Sequence, residues 1–296
     1  MNYIVLGGGT SAEKNVSNRS AKAVLQALVT LDHSVILLDP ATTTLEAILE
    51  AGAKSDGIFP ILHGAGGEDG VLQAQFEEAG IAYFGPTSQA CKNTFDKAAY
   101  KKIIEANYLP TPKWNVISAA KLNSERLAKS AFVLKPISGG SSIDTFIVRT
   151  FPYDIAPLEE ALNRYGTMLI EELIEGVEIT VGVLGSNALP VIEIIPPKDK
   201  EFDYENKYNG ATQELCPPKN VSKELQSAAQ KLALAAHKIT QCRHLSRTDI
   251  IINAAGEMFI LETNTIPGLT TQSLFPKAAK AAGYSWVKLV DTFTHF

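Results

Sequence analysis

Strand and helix patterns alternate along the first 86 residues, and this alternation limits the possible folds more than any other feature of the chain. Short apolar runs are typical of strands, and the stretches between them have the apolar spacing of helices. The strand patterns lie at 3–6, 34–39, 57–63 and 81–85, and the helix patterns at 17–31, 43–52 and 70–80. This order is typical of βαβ units, whose strands run parallel. With a turn at Pro86, it predicts an N-terminal domain over residues 1–86.

The rest of the chain has runs of strands instead of this strict alternation. After a helical pattern at 87–107, strand patterns occur at 132–136, 145–149, 167–173, 178–185, 189–197, 247–253 and 258–264, and helix patterns at 273–282 and 285–294. The later strands favour a largely antiparallel sheet. We therefore predict an α/β protein with a parallel N-terminal sheet and two further domains, at 87–171 and 172–296.

Composition excludes several classes of protein. The chain has 296 residues, 45% of them hydrophobic, which is enough to bury a large core. A net charge of −5 and the absence of a basic run argue against nucleic acid as the main partner. Cys91, Cys216 and Cys242 lie far apart without a CxxC spacing, so we expect neither a disulfide framework nor a zinc cluster. Because neither a signal peptide nor a run of about 18 apolar residues is found, we predict a cytoplasmic protein without a membrane span.

Glycines after the first strand offer three interpretations. Gly7, Gly9 and Ala12 satisfy GxGxxA, and Asp39 ends the second strand, as in a nicotinamide dinucleotide site. Glu13 argues against that site, because its carboxylate would repel a pyrophosphate and would instead attract an ammonium group. A tight turn with a solvated glutamate fits the same residues.

Two further glycine-rich segments, HGAGGEDG at 63–70 and VLKPISGGSS at 133–142, also lie at the ends of strand patterns. In the second segment, Lys135 and the backbone N–H groups of the serine-glycine loop suit phosphate oxygens, although the sequence is not a Walker loop. A flexible linker is the alternative there. In the first segment, a capped turn and a core role for His63 remain open.

Oxygen side chains converge in the C-terminal part. Asp249 is placed at the start of one strand pattern, and Glu262 and Asn264 at the end of the next, with a hairpin turn at 254–256 between them. Antiparallel pairing would bring the three side chains together, and hard oxygen ligands favour Mg²⁺ or Mn²⁺ carried in with a nucleotide. Two such ions could bridge its phosphates. Polar edge-strand residues are the alternative.

Seven ordered motifs span essentially the whole chain: GGGTSAE, HGAGGEDG, FDKAAYKK, VLKPISGGSS, DYENKY, SRTDI and LETNTIPGLTTQSL. In order and spacing, they resemble the motifs of the D-alanine:D-alanine ligases of the ATP-grasp superfamily. The resemblance implies three α/β domains, with ATP held between the central and C-terminal sheets. It implies that ATP phosphorylates the carboxylate of one D-alanine and that the amine of a second attacks the acyl phosphate. It also implies a cytoplasmic homodimer that makes D-alanyl-D-alanine for peptidoglycan.

The resemblance assigns roles to individual positions. It assigns nucleotide binding to Lys97, Lys135, Glu171, Glu172, Ile174 and Glu178. It assigns the binding of two Mg²⁺ or Mn²⁺ ions to Asp249, Glu262 and Asn264. For the first D-alanine and the lid, it implies Glu13, Ser141 and Tyr208. Near the carboxylate of the second substrate it places His63, Lys207, Ser273 and Leu274. It implies that Arg247 and the N–H of Gly268 stabilise the oxyanion.

Four positions depart from the family pattern: Gly139, Asp144, Glu172 and Gln272 replace the usual glutamate, glycine, lysine and histidine. These departures bear on loop mobility, nucleotide affinity and choice of the second substrate. Tyr208 matches members that use an amine acceptor, which favours a dipeptide over a depsipeptide. The alternatives are an ATP-grasp ligase for another amino-acid pair, a nicotinamide-dependent oxidoreductase, and a nucleotide sensor without catalysis.

Overall fold

The N-terminal part forms a parallel sheet, as predicted. A computed structural model describes residues 1–140, 143–197 and 212–296. Strands β1 (Asn2–Leu6), β2 (Ser34–Leu38) and β3 (Gly57–Pro60) pair in the order β2-β1-β3. The helices that accompany them are α1 (Lys14–Thr30), α2 (Leu45–Ala53) and α3 (Val71–Glu78).

The strand predicted at 81–85 is wrong. Tyr83 makes an isolated parallel bridge to Ile58 and is not part of a strand. Gly80 and Gly85 flank this segment with φ angles of 65° and 108°, so the backbone leaves the sheet after one residue pair. Strand β3 also ends at Pro60, which leaves His63 in the loop that follows.

The single helix predicted at 87–107 is two helices, α4 (Ser88–Phe95) and α5 (Lys97–Ala106). Asp96 breaks the helix because its backbone is extended, at φ −83° and ψ 107°, and its side chain caps α5 by accepting a hydrogen bond from the Ala99 N–H at 2.8 Å. Tyr100 and Ile104 of α5 pack in one core with Ile179 and other residues of the third sheet.

The middle of the chain forms a small antiparallel sheet with its own core. Its strands are β4 (Trp114–Ile117), β5 (Phe132–Pro136), β6 (Phe146–Val148) and β7 (Met168–Glu172), in the order β4-β7-β5-β6. Helix α6 (Ala156–Tyr165) and two short 3₁₀ helices (Ala119–Ser124 and Leu127–Lys129) cover it. We refer to these elements as the central unit.

The third sheet is antiparallel, as predicted. Its strands are β8 (Gly176–Leu184), β9 (Asn187–Ala188), β10 (Ile192–Ile195), β11 (Gln213–Leu215), β12 (Leu245–Asn253) and β13 (Met258–Asn264). The order is β11-β10-β8-β12-β13, and β9 pairs with β8. Helices α7 (Lys223–Ile239), α8 (Leu274–Ala281) and α9 (Trp286–Phe293) complete this part. The prediction that Asp249 lies at the start of its strand is wrong. Strand β12 begins at Leu245, so Asp249 lies in its middle.

The N-terminal sheet and the C-terminal helices share one apolar core. Phe84 stacks on Phe293 with ring centroids 4.3 Å apart, and His244 stacks on Phe296 at 4.8 Å. Arg243 donates a 2.8 Å hydrogen bond to the Gly85 carbonyl across the same junction. In the described part of the chain, no helix has the length and apolar character needed to cross a membrane.

Candidate active site

A cavity of about 1350 Å³ lies where the N-terminal part, the central unit and the third sheet meet. It brings together residues that are far apart in sequence. The predicted site residues that line it are Glu13, Lys97, Lys135, Glu171, Glu172, Ile174, Glu178, Asp249 and Glu262. A cavity of this size with several charged groups can hold a nucleotide together with a small substrate.

Asp249 and Glu262 face each other across strands β12 and β13, and two residues farther along the ladder Arg247 lies opposite Asn264. Directly opposed residues and residues two apart share a face of a sheet, so these four side chains are on one face. The Asn264 Nδ2 lies 3.3 Å from the Asp249 Oδ2. The predicted convergence of Asp249, Glu262 and Asn264 is therefore present.

The carboxylate of Asp249 is fixed by its neighbours. Arg247 donates to both of its oxygens, from Nε at 3.0 Å and from Nη2 at 2.8 Å, and the Thr180 hydroxyl donates to Oδ1 at 2.5 Å. The Asp249 side chain is 9% exposed, so this carboxylate is held in one orientation at the cavity wall. A carboxylate held in this way loses little freedom when it binds a cation.

The donor set suits a hard divalent cation. It consists of two carboxylates and one amide oxygen, the ligand types that Mg²⁺ and Mn²⁺ prefer. Within the described ranges, no group of three His, Cys, Asp or Glu residues is placed to hold a metal ion. The predicted set contains only two such residues, because its third member is Asn264. Magnesium keeps water and substrate phosphate oxygens as its remaining ligands, so a partial protein shell is what it requires.

Two buried lysines face the same cavity. The Lys97 Nζ lies 3.9 Å from the Glu262 Oε2 and donates a hydrogen bond to the Gly139 carbonyl. The Lys135 Nζ lies 2.5 Å from the Glu171 Oε1. Burial lowers the pKa of Lys97, while the charge of Glu262 opposes this shift. The two ammonium groups can neutralise phosphate oxygens.

Glu171 is closely paired with lysines. Burial alone would raise the pKa of its carboxyl, but Lys135 and Lys101 outweigh this effect and lower the pKa to about 2. Strand β7 carries both Glu171 and Glu172, while Glu178 lies on β8. The segment between them, with Ile174, forms the wall of the cavity predicted to border adenine.

Glu13 lies at the start of α1 and is 9% exposed. Its Oε2 lies close to two glycines. A Cβ atom added to Gly64 would lie 3.0 Å from this oxygen, and a Cβ atom added to Gly140 would lie 3.2 Å from it. The small residues leave room for this carboxylate at the edge of the cavity. Its predicted partners Ser141 and Tyr208, and the predicted substrate residue Lys207, lie outside the described residues.

Sequence reasoning did not predict that Glu68 lies beside Glu13 in the site. The carboxyl of Glu68 accepts a 2.7 Å hydrogen bond from the Gly64 N–H, inside the glycine turn. Burial raises its pKa to about 8, and the nearby charge of Glu13 adds to the shift. Glu68 is therefore protonated near neutral pH. The motif HGAGGEDG contains this residue, but the sequence suggested only a capped turn there.

His63 is held between the N-terminal part and the loop after β13. Its Nδ1 lies 3.0 Å from the Ile266 carbonyl, and its Nε2 lies 3.2 Å from the Ser20 hydroxyl. Burial lowers the pKa of His63 to about 4, so the ring is neutral at ordinary pH. Because a carbonyl can only accept, Nδ1 carries the proton and Nε2 accepts from Ser20. The Ser20 oxygen accepts in turn from the Leu269 N–H at 3.3 Å.

Gly268, Ser273 and Leu274 lie on this loop and the start of α8. They are not among the described residues that line the cavity. The Ser273 Oγ accepts from the Thr270 N–H at 3.2 Å, and a Cβ at Gly268 would lie 2.9 Å from the same oxygen. Leu274 is 8% exposed, so the N-terminal backbone of α8, and not this side chain, is what a carboxylate could contact.

The dinucleotide interpretation of the first glycines does not fit the structure. Asp39 accepts hydrogen bonds from the N–H groups of Gly9 and Ala41, at 2.8 and 2.9 Å, and its Oδ2 lies 3.7 Å from the Lys14 Nζ. The carboxylate that would bind a ribose in such a site instead closes the glycine turn.

Comparison with known proteins identifies the family. The family model described as D-ala D-ala ligase C-terminus matches residues 103–295. A D-alanine–D-alanine ligase from Oleidesulfovibrio alaskensis is 40% identical over 294 residues, which cover 98% of this chain and 94% of the relative. The chain belongs to the D-alanine–D-alanine ligase family.

Solved structures of this family have the same fold. A D-alanine–D-alanine ligase from Bacillus anthracis complexed with ATP is 30% identical and has a TM-score of 0.86, with 100% of this chain and 96% of that chain covered. A D-Ala:D-Ser ligase from Enterococcus faecalis is 26% identical and has a TM-score of 0.82, with 99% and 98% covered. The expected α/β ATP-grasp architecture is confirmed.

Proposed function

We propose that this protein is an ATP-dependent ligase that joins two D-alanines into D-alanyl-D-alanine, with ADP and phosphate as the other products. The observation that supports it most is the meeting of Lys97, Lys135, Asp249 and Glu262 around one cavity, with Glu13 at its edge. These groups supply charge for phosphates, ligands for a cation and a carboxylate for an ammonium group. Membership of the ligase family gives the same reaction.

The first half of the reaction is phosphoryl transfer. A carboxylate oxygen of the first D-alanine attacks the γ-phosphorus of ATP, and the bond to ADP breaks. Lys97 and Lys135 bind phosphate oxygens and balance the charge that spreads over them. Asp249, Glu262 and Asn264 would hold Mg²⁺, which would supply positive charge to neutralise the phosphates. Glu13 binds the ammonium group of the first substrate and so orients its carboxylate.

The second half forms the peptide bond. The deprotonated amine of the second D-alanine attacks the acyl carbon. As the tetrahedral intermediate collapses, the bond to phosphate breaks and the departing phosphate takes the proton that the nitrogen loses. Arg247 and the Gly268 N–H stabilise the oxyanion. Asp249 fixes the Arg247 guanidinium through two hydrogen bonds, so this donor is oriented before charge develops. The backbone at the start of α8, with Ser273, receives the carboxylate of the second D-alanine.

The cellular setting remains a proposal as well. The dipeptide serves peptidoglycan synthesis, and the protein works in the cytoplasm as a homodimer. Analytical ultracentrifugation of the purified protein at micromolar concentration tests the dimer, since a single monomer species would contradict it.

A second candidate is a ligase for a different amino-acid pair. The likeness to a D-Ala:D-Ser ligase, at 26% identity over 99% of this chain, makes D-serine the acceptor to test first. The departures Gly139, Asp144, Glu172 and Gln272 include positions where acceptor preference can change. Tyr208 supports an amine acceptor. The variant Tyr208→Phe is expected to weaken discrimination between amine and hydroxyl acceptors, as measured by competition between D-alanine and D-lactate.

A substrate panel tests the proposed function. Phosphate release from ATP is measured with each D- and L-amino acid, singly and in pairs, and each product is identified by mass. We expect stimulation by D-alanine and the mass of D-alanyl-D-alanine. Stimulation by L-amino acids without D-alanine, or tight NADH binding without ATP binding, would contradict the proposal.

A further inference from the structure

Lys101 is a fully buried lysine, with a side-chain exposure of 0%. Its Nζ lies 2.7 Å from the Glu171 Oε2 and donates a 2.8 Å hydrogen bond to the Thr111 hydroxyl. A buried ammonium group is strongly unfavourable unless such partners surround it. Lys101 is one helical turn beyond Lys97 on α5, and residues four apart share a helix face. This face of α5 therefore points two lysines toward the junction of the two sheets that border the cavity.

Contacts continue from Lys101 into both sheets. On the central unit, Glu171 of β7 is paired through its other oxygen with Lys135, at 2.5 Å. On the third sheet, the Thr111 hydroxyl donates a 2.8 Å hydrogen bond to the Ile260 carbonyl of β13. The Ile260 N–H donates a 2.9 Å hydrogen bond to the Pro110 carbonyl. Residues 110 and 111 are therefore joined to Ile260 by two hydrogen bonds. Glu262, a proposed metal ligand, lies two residues farther along β13.

We propose that Lys101 is a positioning residue for the nucleotide, which sets the Lys135 ammonium on one sheet and strand β13 on the other in a fixed relation. The inference deepens the proposed function and rests on it, because ATP is the ligand that both sheets would grip. Lys101 acts through Glu171 and Thr111, since the contacts of its ammonium group run to these two residues.

The charge of Lys101 has a second effect on the binding of ATP, because it changes the charge available to the phosphates. Along this chain of contacts, the ammonium groups of Lys97, Lys101 and Lys135 face the carboxylates of Glu171 and Glu262, which leaves one net positive charge. With Lys101 present, Glu171 divides its attraction between two lysines. Without it, Glu171 would attract Lys135 alone, and less positive charge would be left for phosphate oxygens.

The variant Lys101→Met removes the ammonium group and keeps most of the side-chain volume. Calorimetric titration with a nonhydrolysable ATP analogue and magnesium is expected to show a dissociation constant raised by about tenfold or more. The KM for ATP should rise in parallel, while the KM for D-alanine stays at the wild-type value. The neighbouring exposed residue gives the matched control: Lys102→Met should bind the analogue as the wild type does.

Thr111→Val tests the contact with β13 separately from the contact with Glu171. It replaces Lys101→Met if that variant does not fold. It leaves the Lys101–Glu171 pair and removes only the hydroxyl that reaches Ile260, so weaker analogue binding with an unchanged KM for D-alanine is expected. Wild-type affinity in every folded variant of Lys101 and Thr111 would overturn the proposal. Equal losses for ATP and D-alanine would also overturn it, because they would indicate a general structural role. Failure of the wild type to make the dipeptide would instead count against the proposed function, since the binding comparison needs only ATP.

Discussion

Glu262 lies directly opposite Asp249 on paired antiparallel strands, so two carboxylates face the cavity from adjacent positions of one sheet. The Lys97 ammonium, 3.9 Å from Glu262, brings a positive charge to the same corner. Each carboxylate has a cationic neighbour, since Arg247 binds Asp249. Each carboxylate therefore lies at the cavity with a positive charge beside it.

Glu262→Gln tests the metal assignment. The substitution keeps the size of the side chain and removes one ligand charge, so turnover should fall by roughly 10- to 100-fold and the magnesium needed for half-maximal rate should rise. The thermal unfolding temperature should change little, because Glu262 is partly exposed. Glu257→Gln, in the exposed turn between the same two strands, is the matched control and should retain wild-type turnover. Unchanged magnesium dependence in Glu262→Gln would refute the assignment.

Ser20→Ala tests whether the His63 network positions the loop that carries Gly268. The Ser20 hydroxyl donates to His63 and accepts from the Leu269 N–H, so its loss leaves two buried groups without this partner. We expect kcat to fall by about tenfold through a small displacement of the oxyanion donor, with the KM for ATP unchanged. The exposed residue Ser34 gives the control Ser34→Ala. An unchanged kcat would show that the network has only a structural role.

Acid should destabilise the protein through its buried histidines. Burial lowers the pKa values of His63, His237 and His244 from 6.5 to about 4. Between these values the unfolded chain takes up protons that the folded chain does not, so the free energy of unfolding falls as pH falls from 6.5 to 4. Urea unfolding across this range measures the slope. His237→Gln should make the slope shallower, and a slope equal to that of the wild type would count against this account.

Gly8→Ala should destabilise the turn after β1. Gly8 has a φ of 85°, and a Cβ there would lie 2.3 Å from the Asp39 Oδ2, whose carboxylate holds Gly9 and Ala41. Gly66→Ala is the matched control, because its φ is 80° and nothing lies within 4 Å of the added Cβ. The control should cost about 1–2 kcal/mol for the left-handed backbone. Gly8→Ala should cost measurably more, and equal losses of unfolding free energy would show that Asp39 moves without penalty.

Much of the fold and the pairing of Asp249 with Glu262 could be predicted from the sequence, because local patterns determine them. Period-two alternation and the 254–256 turn were sufficient to predict that Asp249 and Glu262 would come together. The break at Asp96 was missed because the helical pattern continues through it, and only the capping hydrogen bond to Ala99 reveals two helices. The 81–85 segment has the composition of a strand, but the conformations of its flanking glycines limit it to one bridge.

The residues that connect the site could not be found in this way. Lys101 follows Lys97 within DKAAYKKII, and a lysine on a helix is ordinarily solvated. Its burial depends on Glu171 of β7 and on Thr111 in the segment after α5, and both come close to it only through packing. The same holds for Ser20, whose hydroxyl meets His63 and Leu269 between separate parts of the chain. Such contacts are long-range, and a pattern within one segment contains no information about them.

The shared core of the N-terminal sheet and the C-terminal helices has a consequence for how substrates enter. Because Phe84 and Phe293 belong to one packed interior, we expect those two parts to move as a single rigid body. The central unit has a separate interior, and the Lys101 contacts join it to the third sheet, so any opening would leave that junction in place. The side of the cavity near Glu13 would then keep its shape while the central unit moves away from the nucleotide. ADP could leave without disturbing the site proposed for the amino acids.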